Sequence, residues 1–244
     1  VIKTTIITSL YKAEKYLQGF LKDITRQTVF DECELYLLDA ASPENEYDIA
    51  KPYLDKHSNI RYERLDKDPG IYACWNHMIK NSNSDYITNA NVDDKLFANC
   101  IERHNEALDN FEEYDLVYCH NTVTDNPETT SENLTSISLF PTGPFSKKNM
   151  LACNLPHNHP VWRRSLHDEC GYFEEDMYVS ANDYDFWLRC VEMGKEFFFI
   201  PEVLGIYYRN PEGVSTKQEN MDRNLKEVYD IREKYSKRIS NTHV

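Results

Sequence analysis

The 244-residue chain lacks any apolar run long enough to span a bilayer and carries no signal peptide. No transmembrane segment is expected. It also lacks a cysteine pattern: seven cysteines, an odd number, are scattered with no CxxC pair and no dense cluster. That argues against a disulfide frame or a zinc site and suits reduced thiols in a cytoplasmic protein. Positive charge is short as well, with 27 Lys and Arg against 41 Asp and Glu, a formal net charge of −14. Nucleic acid and anionic membrane are poor partners for such a surface. A phosphate-bearing ligand would need a local device, a metal or helix N-termini, to offset that field. There is no internal repeat, no linker that divides the chain, and no initial Met. Val1 already lies in a strand-like segment, as expected of one domain of a longer polypeptide.

What is present is a βα rhythm. Ile2 to Thr8 is β-branched and almost wholly apolar, the pattern of a strand buried on both faces. Ala13, Tyr16, Leu17, Phe20, Leu21 and Ile24 follow at helical spacing. Leu35 to Leu38 predicts a second strand ending at Asp39, and Ser42-Pro43 predicts a turn opening a helix. Ile60 to Leu65 is a third strand. Gly70 opens a helix with an apolar stripe of Ile71, Cys74, Trp75, Met78 and Ile79, and Tyr86-Ile87 closes a fourth strand. Such alternation predicts an α/β fold with a mostly parallel central sheet and helices on both sides.

Beyond residue 115 the rhythm weakens. Leu116 to Tyr118 reads as a strand and Thr122 to Thr142 as a long polar loop. Two short strands are expected at Phe197 to Ile200 and Gly205 to Tyr208, then a charged C-terminal helical tail from Glu219.

The segment SDYITNANVDD, Ser84 to Asp94, passes from a strand end into adjacent carboxylates, at the edge where open α/β sheets bind ligands. In extended chain Asn91 and Asp93 would share one face while Asp94 points away to cap the next helix, which carries Phe97, Ile101 and Leu108. A carboxylate beside a neutral oxygen donor suits a hard divalent cation, and the same residues also suit a plain turn and cap. Asp39, Asp68 and Asp93 follow three successive strands toward one sheet edge. In NDYDFWLRC, Asp185 and Arg189 stand at i,i+4 and can pair, while Asp183, lacking such a partner, is either a helix cap or a working carboxylate. The turn PHNHP, with His157 and His159, is open to a structural or a functional reading.

In this order the motifs resemble the family 2 glycosyltransferases of Rossmann-like GT-A fold, over nearly the whole chain. TIITSLYKAEKYL is similar to the family's first strand and loop, which implies nucleotide contacts from Ser9, Leu10 and Tyr11. LLDAAS resembles the second strand end and implies that Asp39 meets the base; a second carboxylate common there is missing. DPGIYACWN resembles a DxGIYDAxN segment, retaining Asp68, Gly70, Tyr72 and Asn76 but with Ala73 where an Asp is usual. NVDD, with Asn91, Val92 and Asp93, resembles the metal motif and implies Mn²⁺ or Mg²⁺ on Asp93. SANDYDFWLRC resembles the acceptor-side helix and implies Asp183 as catalytic base, with Asn182 beside it. IPEVLGIYYRN, ending at Arg209 and Asn210, then GVS, resembles the closing strand and lid loop, where a His is frequent. His159 is implied near the acceptor or the donor phosphates.

The resemblance implies an inverting, metal-dependent hexosyltransferase-type enzyme that moves sugar from a nucleoside-diphosphate sugar, UDP-linked by preference, to a glycan or sugar hydroxyl, as in polysaccharide biosynthesis. It divides the chain into a domain at 1–218, with a nucleotide-binding half (1–118) and an acceptor-binding half (119–218), and a C-terminal helix at 219–244. A non-catalytic nucleotide-sugar or glycan-binding module and a metal-dependent phosphohydrolase are the competing readings. Thr8-Ser9-Leu10-Tyr11 after the first strand offers no Asp nucleophile for the latter.

Overall fold

The computed structural model describes residues 1–240. Its first half is a run of parallel units: β1 (Thr4–Leu10), α1 (Glu14–Ile24), β2 (Cys33–Asp39), α2 (Glu46–Lys56), β3 (Ile60–Arg64), α3 (Ile71–Lys80) and β4 (Tyr86–Asn89). β1 pairs in parallel with β2 on one side and β4 on the other, and β2 pairs in parallel with β3. The chain moves outward from β1 to β3 and then crosses back to β4. The reversal leaves a crevice at the carboxyl ends of β1 and β4, the place where open α/β sheets take ligands. The apolar runs become two-faced strands through the period of two. Ile7, Tyr36 and Leu38 go to one face, under α3, and Ile6, Leu35 and Leu37 to the other, under α1. Helix α2 begins three residues after Pro43 rather than on it, and Ile71 is exposed while the rest of its predicted stripe is buried.

The second half departs more from expectation. After β4 come β5 (Lys95–Leu96), α4 (Cys100–Asn110), β6 (Leu116–Thr124), β7 (Ser138–Leu139), α5 (Lys147–Ala152), β8 (Val161–Arg163), α6 (Leu166–Cys170), α7 (Asn182–Glu192), β9 (Phe197–Tyr208) and α8 (Met221–Ser240). The sheet order is β3-β2-β1-β4-β8-β6-β9-β5, with β7 on β6. Thr122 to Thr124, expected in a loop, belongs to β6, and β7 pairs with it from within the same predicted loop. Polar composition misled there because Asn121, Thr122 and Thr124 are buried and hydrogen-bonded. The two strands expected at 197–208 are one, with a register shift opposite His120. Pro201 falls at that shift; it has no N–H to give a ladder.

Asp94 does not cap a helix. It lies 2% exposed, accepting from the backbone N–H of Tyr208 at 2.9 Å and the amide of Asn91 at 3.2 Å, while β5 separates it from α4. The strict alternation expected of residues 91–94 fails because they form a turn, closed by the Asp94 N–H on the Asn91 carbonyl.

The tail is part of the core. Ile231, Tyr235 and Ile239 of α8 are buried with α7 residues, whereas Leu225 is 66% exposed. Residues 241–244 of the expected C-terminal helix lie outside the described residues. No described helix is long and apolar enough to cross a membrane.

Candidate active site

The crevice is walled by the loops that follow β1 and β2. Both turn through left-handed backbone, at Lys12 (φ 52°) and Ala41 (φ 54°), a conformation uncommon outside glycine and often held at functional sites. Glu46, at the start of α2, braces them together. Its Oε1 accepts from the Ala13 N–H at 2.9 Å and from the Ser42 hydroxyl at 2.6 Å, while Ser42 Oγ accepts from the Lys12 N–H at 3.0 Å. Leu10 is buried beneath, Ser9 is half-buried, and Tyr11 stands 48% exposed on the rim.

Asp39 is fully buried. Oδ1 accepts from the Ser42 N–H at 2.8 Å; Oδ2 accepts from the Tyr62 hydroxyl at 2.7 Å and pairs with the Arg64 guanidinium. The parallel register sets Arg64 directly beside Asp39, and Tyr62 shares the face of Arg64. Sequence reasoning passed over Tyr62, Arg64 and Glu46. The first two had a signal, a cationic end to the strand next to an acidic one. Asp68 is exposed and accepts from the Gly70 N–H at 2.8 Å. Gly70 needs its lack of Cβ, with φ at 92°. Asn76 turns away from the crevice: 1% exposed, it ties α3 to Phe173 and Glu175 through three hydrogen bonds.

At the end of β4, Asn91, Val92 and Asp93 are all half-buried. Asp94 is held inside on Tyr208, and burial, followed by the charge of Asp93, pushes its carboxyl well above the usual range. Asp93 thus stands as the outward carboxylate of the pair, its Oδ2 taking the amide of Asn210 at 2.8 Å. Asn210 or Pro211 stands where the family resemblance implies a His. The donor set fits a hard cation in part: one accessible carboxylate with no cation on it, leaving most of the coordination to water and phosphate oxygens.

Asp183 lies in the first turn of α7, half-buried. Its Oδ1 accepts from the Tyr72 hydroxyl at 3.2 Å and its Oδ2 from the Asn154 amide at 2.8 Å. Burial raises its pKa, and these donors, with the backbone, work the other way. Asp185 is fully buried with a cation on each oxygen, Lys234 at 2.7 Å and Arg189 at 3.6 Å. The expected Asp185–Arg189 pair is therefore present but second to Lys234. Asn182 closes a local loop with the backbone of Tyr178.

Three further residues are engaged by partners other than the crevice carboxylates. His159 is 1% exposed, hydrogen-bonded to Asn121 at 3.0 Å, and burial lowers it to about 3, so it is neutral. His157 is stacked on Phe140 at 4.0 Å. Arg209 is exposed and forks onto Asp125. The fold also gathers Cys100, His104 and Cys119, with ligand atoms within 4.8 Å of one another, which their spacing in the chain does not announce. The trio is closed in the core on the α4 side of the sheet, opposite α7, and no fourth such ligand joins it among the described residues.

A twisted α/β sheet with its crevice at the β1/β4 reversal and carboxylates at the strand ends is the GT-A architecture. The chain belongs to glycosyl transferase family 2, whose model matches residues 5–169, from β1 through α6. It is 23% identical over 213 residues to an uncharacterized glycosyltransferase, MJ1057, of Methanocaldococcus jannaschii, covering 85% of this chain and 70% of that protein. The structure is similar to that of S. aureus TarS 1–349 in complex with UDP-GlcNAc, with a TM-score of 0.77 at 17% identity, over 100% of this chain and 68% of that one. It is also similar to the mannosyltransferase PcManGT from Pyrobaculum calidifontis in complex with GDP-Man and Mn²⁺, with a TM-score of 0.66 at 14% identity, over 86% of this chain and 58% of that one. These structural likenesses carry the fold.

Proposed function

We propose that the protein is an inverting glycosyltransferase that moves a hexosyl group from a nucleoside-diphosphate sugar, UDP-linked by preference, to a hydroxyl of a glycan or sugar acceptor, in the cytoplasm. The observation that carries the reading is Asp183, a half-buried carboxylate that receives only neutral donors, on a helix whose other first-turn carboxylate is neutralised by two cations. The acceptor hydroxyl attacks the anomeric carbon from the side opposite the diphosphate, and Asp183 takes its proton.

Ser9, Leu10, Tyr11, Asp39, Asp68 and the Gly70 helix start form the nucleotide side, with Asn91, Val92 and Asp93 at the diphosphate. The halves 1–118 and 119–218 thus correspond to donor and acceptor. Asp93 would hold the divalent cation, Mn²⁺ or Mg²⁺, whose Lewis acidity stabilises the departing diphosphate when bound. Asn210 would release Asp93 as the cation arrives. For Asp39, Asn76, Asn182 and His159 the supporting role is indirect, since each is buried and already hydrogen-bonded within the protein.

Calorimetric titration with UDP, with and without Mn²⁺, tests the donor side. Mn²⁺ is expected to tighten UDP binding at least tenfold in the unaltered protein. Asp93→Ala is expected to abolish that increment and sugar transfer while leaving the melting temperature within a few degrees. An increment that survives in the variant would remove Asp93 from the metal site.

A further inference from the structure

Both oxygens of Asp183 are engaged from outside its own helix. Tyr72 reaches Oδ1 from α3, its ring fixed by edge contact with Trp75 (centroids 5.3 Å apart) and by Phe173 (5.9 Å). Asn154 reaches Oδ2 from the segment after α5. The end of α5, just before it, is pinned: the Tyr184 hydroxyl donates to the carbonyls of Met150 and Leu151, and Arg232 of α8 donates to that of Ala152. A carboxylate only accepts, so the nitrogen of the Asn154 amide must be the atom that faces Asp183. The price is visible at the other end of the amide, where Oδ1 is buried with no partner among the described residues. An apolar side chain would fill this space without an orphaned acceptor, so filling space does not account for an Asn here.

We propose that Tyr72 and Asn154 are positioning residues for Asp183, fixing the plane of its carboxylate toward the acceptor and supplying the hydrogen bonds that water would otherwise give. The inference rests on the reading of Asp183 as the base. Tyr72 is the titratable group in contact with it; from α8, Lys234 faces Asp185 instead, as does Arg189. Burial raises the Asp183 carboxyl and the two donors oppose that rise, so losing a donor moves it further up.

The test is a ¹³C-carboxyl NMR titration of the whole chain, with the Asp183 signal assigned by its loss in Asp183→Asn. Asn154→Ala is expected to raise the midpoint by about one pH unit, the scale of one hydrogen bond to a charged group. Tyr72→Phe, which keeps the ring packing, should raise it by less, because its bond is the longer. Asn154→Ser, which restores a donor, should bring the midpoint part of the way back. If Asn154→Ala fails to fold, Tyr72→Phe and Asn154→Ser carry the comparison. In parallel, transfer by Asp183→Asn is followed as the UDP release from UDP-sugars, UDP-GlcNAc among them, that depends on an added glycan or sugar acceptor. An inactive Asp183→Asn with unmoved midpoints in the donor variants overturns the positioning role alone. Undiminished transfer by Asp183→Asn overturns the base assignment, and the positioning role falls with it.

Discussion

The two sides of helix α7 treat carboxylates in opposite ways. Toward α8, Asp185 is fully buried between Lys234 and Arg189, a charge matched by charges. Toward α3 and the end of α5, Asp183 meets a hydroxyl and an amide. A buried anion flanked by two cations is held in its charged form by them. One held by neutral donors has its pKa raised by burial and lowered by its hydrogen bonds, with no cation paired to it among the described residues to fix the charged form. Two residues of sequence separate the two environments, and the sorting is done by what packs on either side.

Exchanging the two acids for amides is the most direct way to break this contrast. Asp183→Asn is expected to lower transfer by about 10²–10⁴-fold, the range for loss of general-base assistance, with UDP affinity unchanged. A dead Asp185→Asn beside a normal Asp183→Asn, in the same transfer assay at saturating substrates, would reverse the roles. Asp185→Asn should instead appear in thermal melting. It leaves Lys234 without its buried partner and should cost at most about 3 kcal/mol, because Lys234 is partly exposed, while transfer stays within about threefold.

The donor side sharpens the comparison at smaller amplitude. Asp39 resembles Asp185 in having a cation, but it also borders the crevice. Asp39→Asn, which loosens the Ser42 loop and the Arg64 pair that Asp39 holds at the crevice, is expected to weaken UDP binding about tenfold, with little change in turnover at saturating donor. Equal UDP affinity measured by calorimetry would mean that the Tyr62–Arg64 cluster is purely structural.

The smallest effect concerns pH. His159 is neutral in the fold at about 3, whereas the unfolded side chain protonates near 6.5, so the unfolded state binds the extra proton between those values. Stability is therefore whole above pH 6.5 and lost as pH falls toward 3. His159→Gln should flatten the acid side by about 1 kcal/mol between pH 6.5 and 5.5, read from urea unfolding at each pH. An unchanged slope would mean that His159 is not the neutral core residue its burial makes it.

How much of this could be read beforehand also divides along the chain. The parallel units could, because β1, β2 and β4 bury both faces and α1 and α3 show an apolar face at helical period. Asp39 and Asp93 at strand ends follow from that layout. Asn154 could not be found this way: its meaning lies in a contact with Asp183, 29 positions away, and nothing in CNLPHNHP marks it. Thr122 to Thr124 looked like loop because a buried polar strand has no apolar signature. Lys234 was invisible as the partner of Asp185 because an i,i+4 Arg189 offered a nearer one.

Helix α8 bears on the order in which the molecule assembles itself. Glu227 accepts from the N–H groups of Val179 and Ser180, Asn224 donates to the carbonyls of Val214 and Ser215, Arg232 holds the Ala152 carbonyl, and Lys234 holds Asp185. As the chain emerges from the ribosome, β1 to β4 can pair with one another once β4 is made, since all four strands lie N-terminal to residue 90. The approach to α7 has no such independence, because the groups that fix it, Asn224, Glu227 and Lys234, are synthesised after α7 itself. A nascent chain would thus hold its parallel strands together well before α7 is anchored, and the Lys234–Asp185 pair can close only once synthesis has passed residue 234.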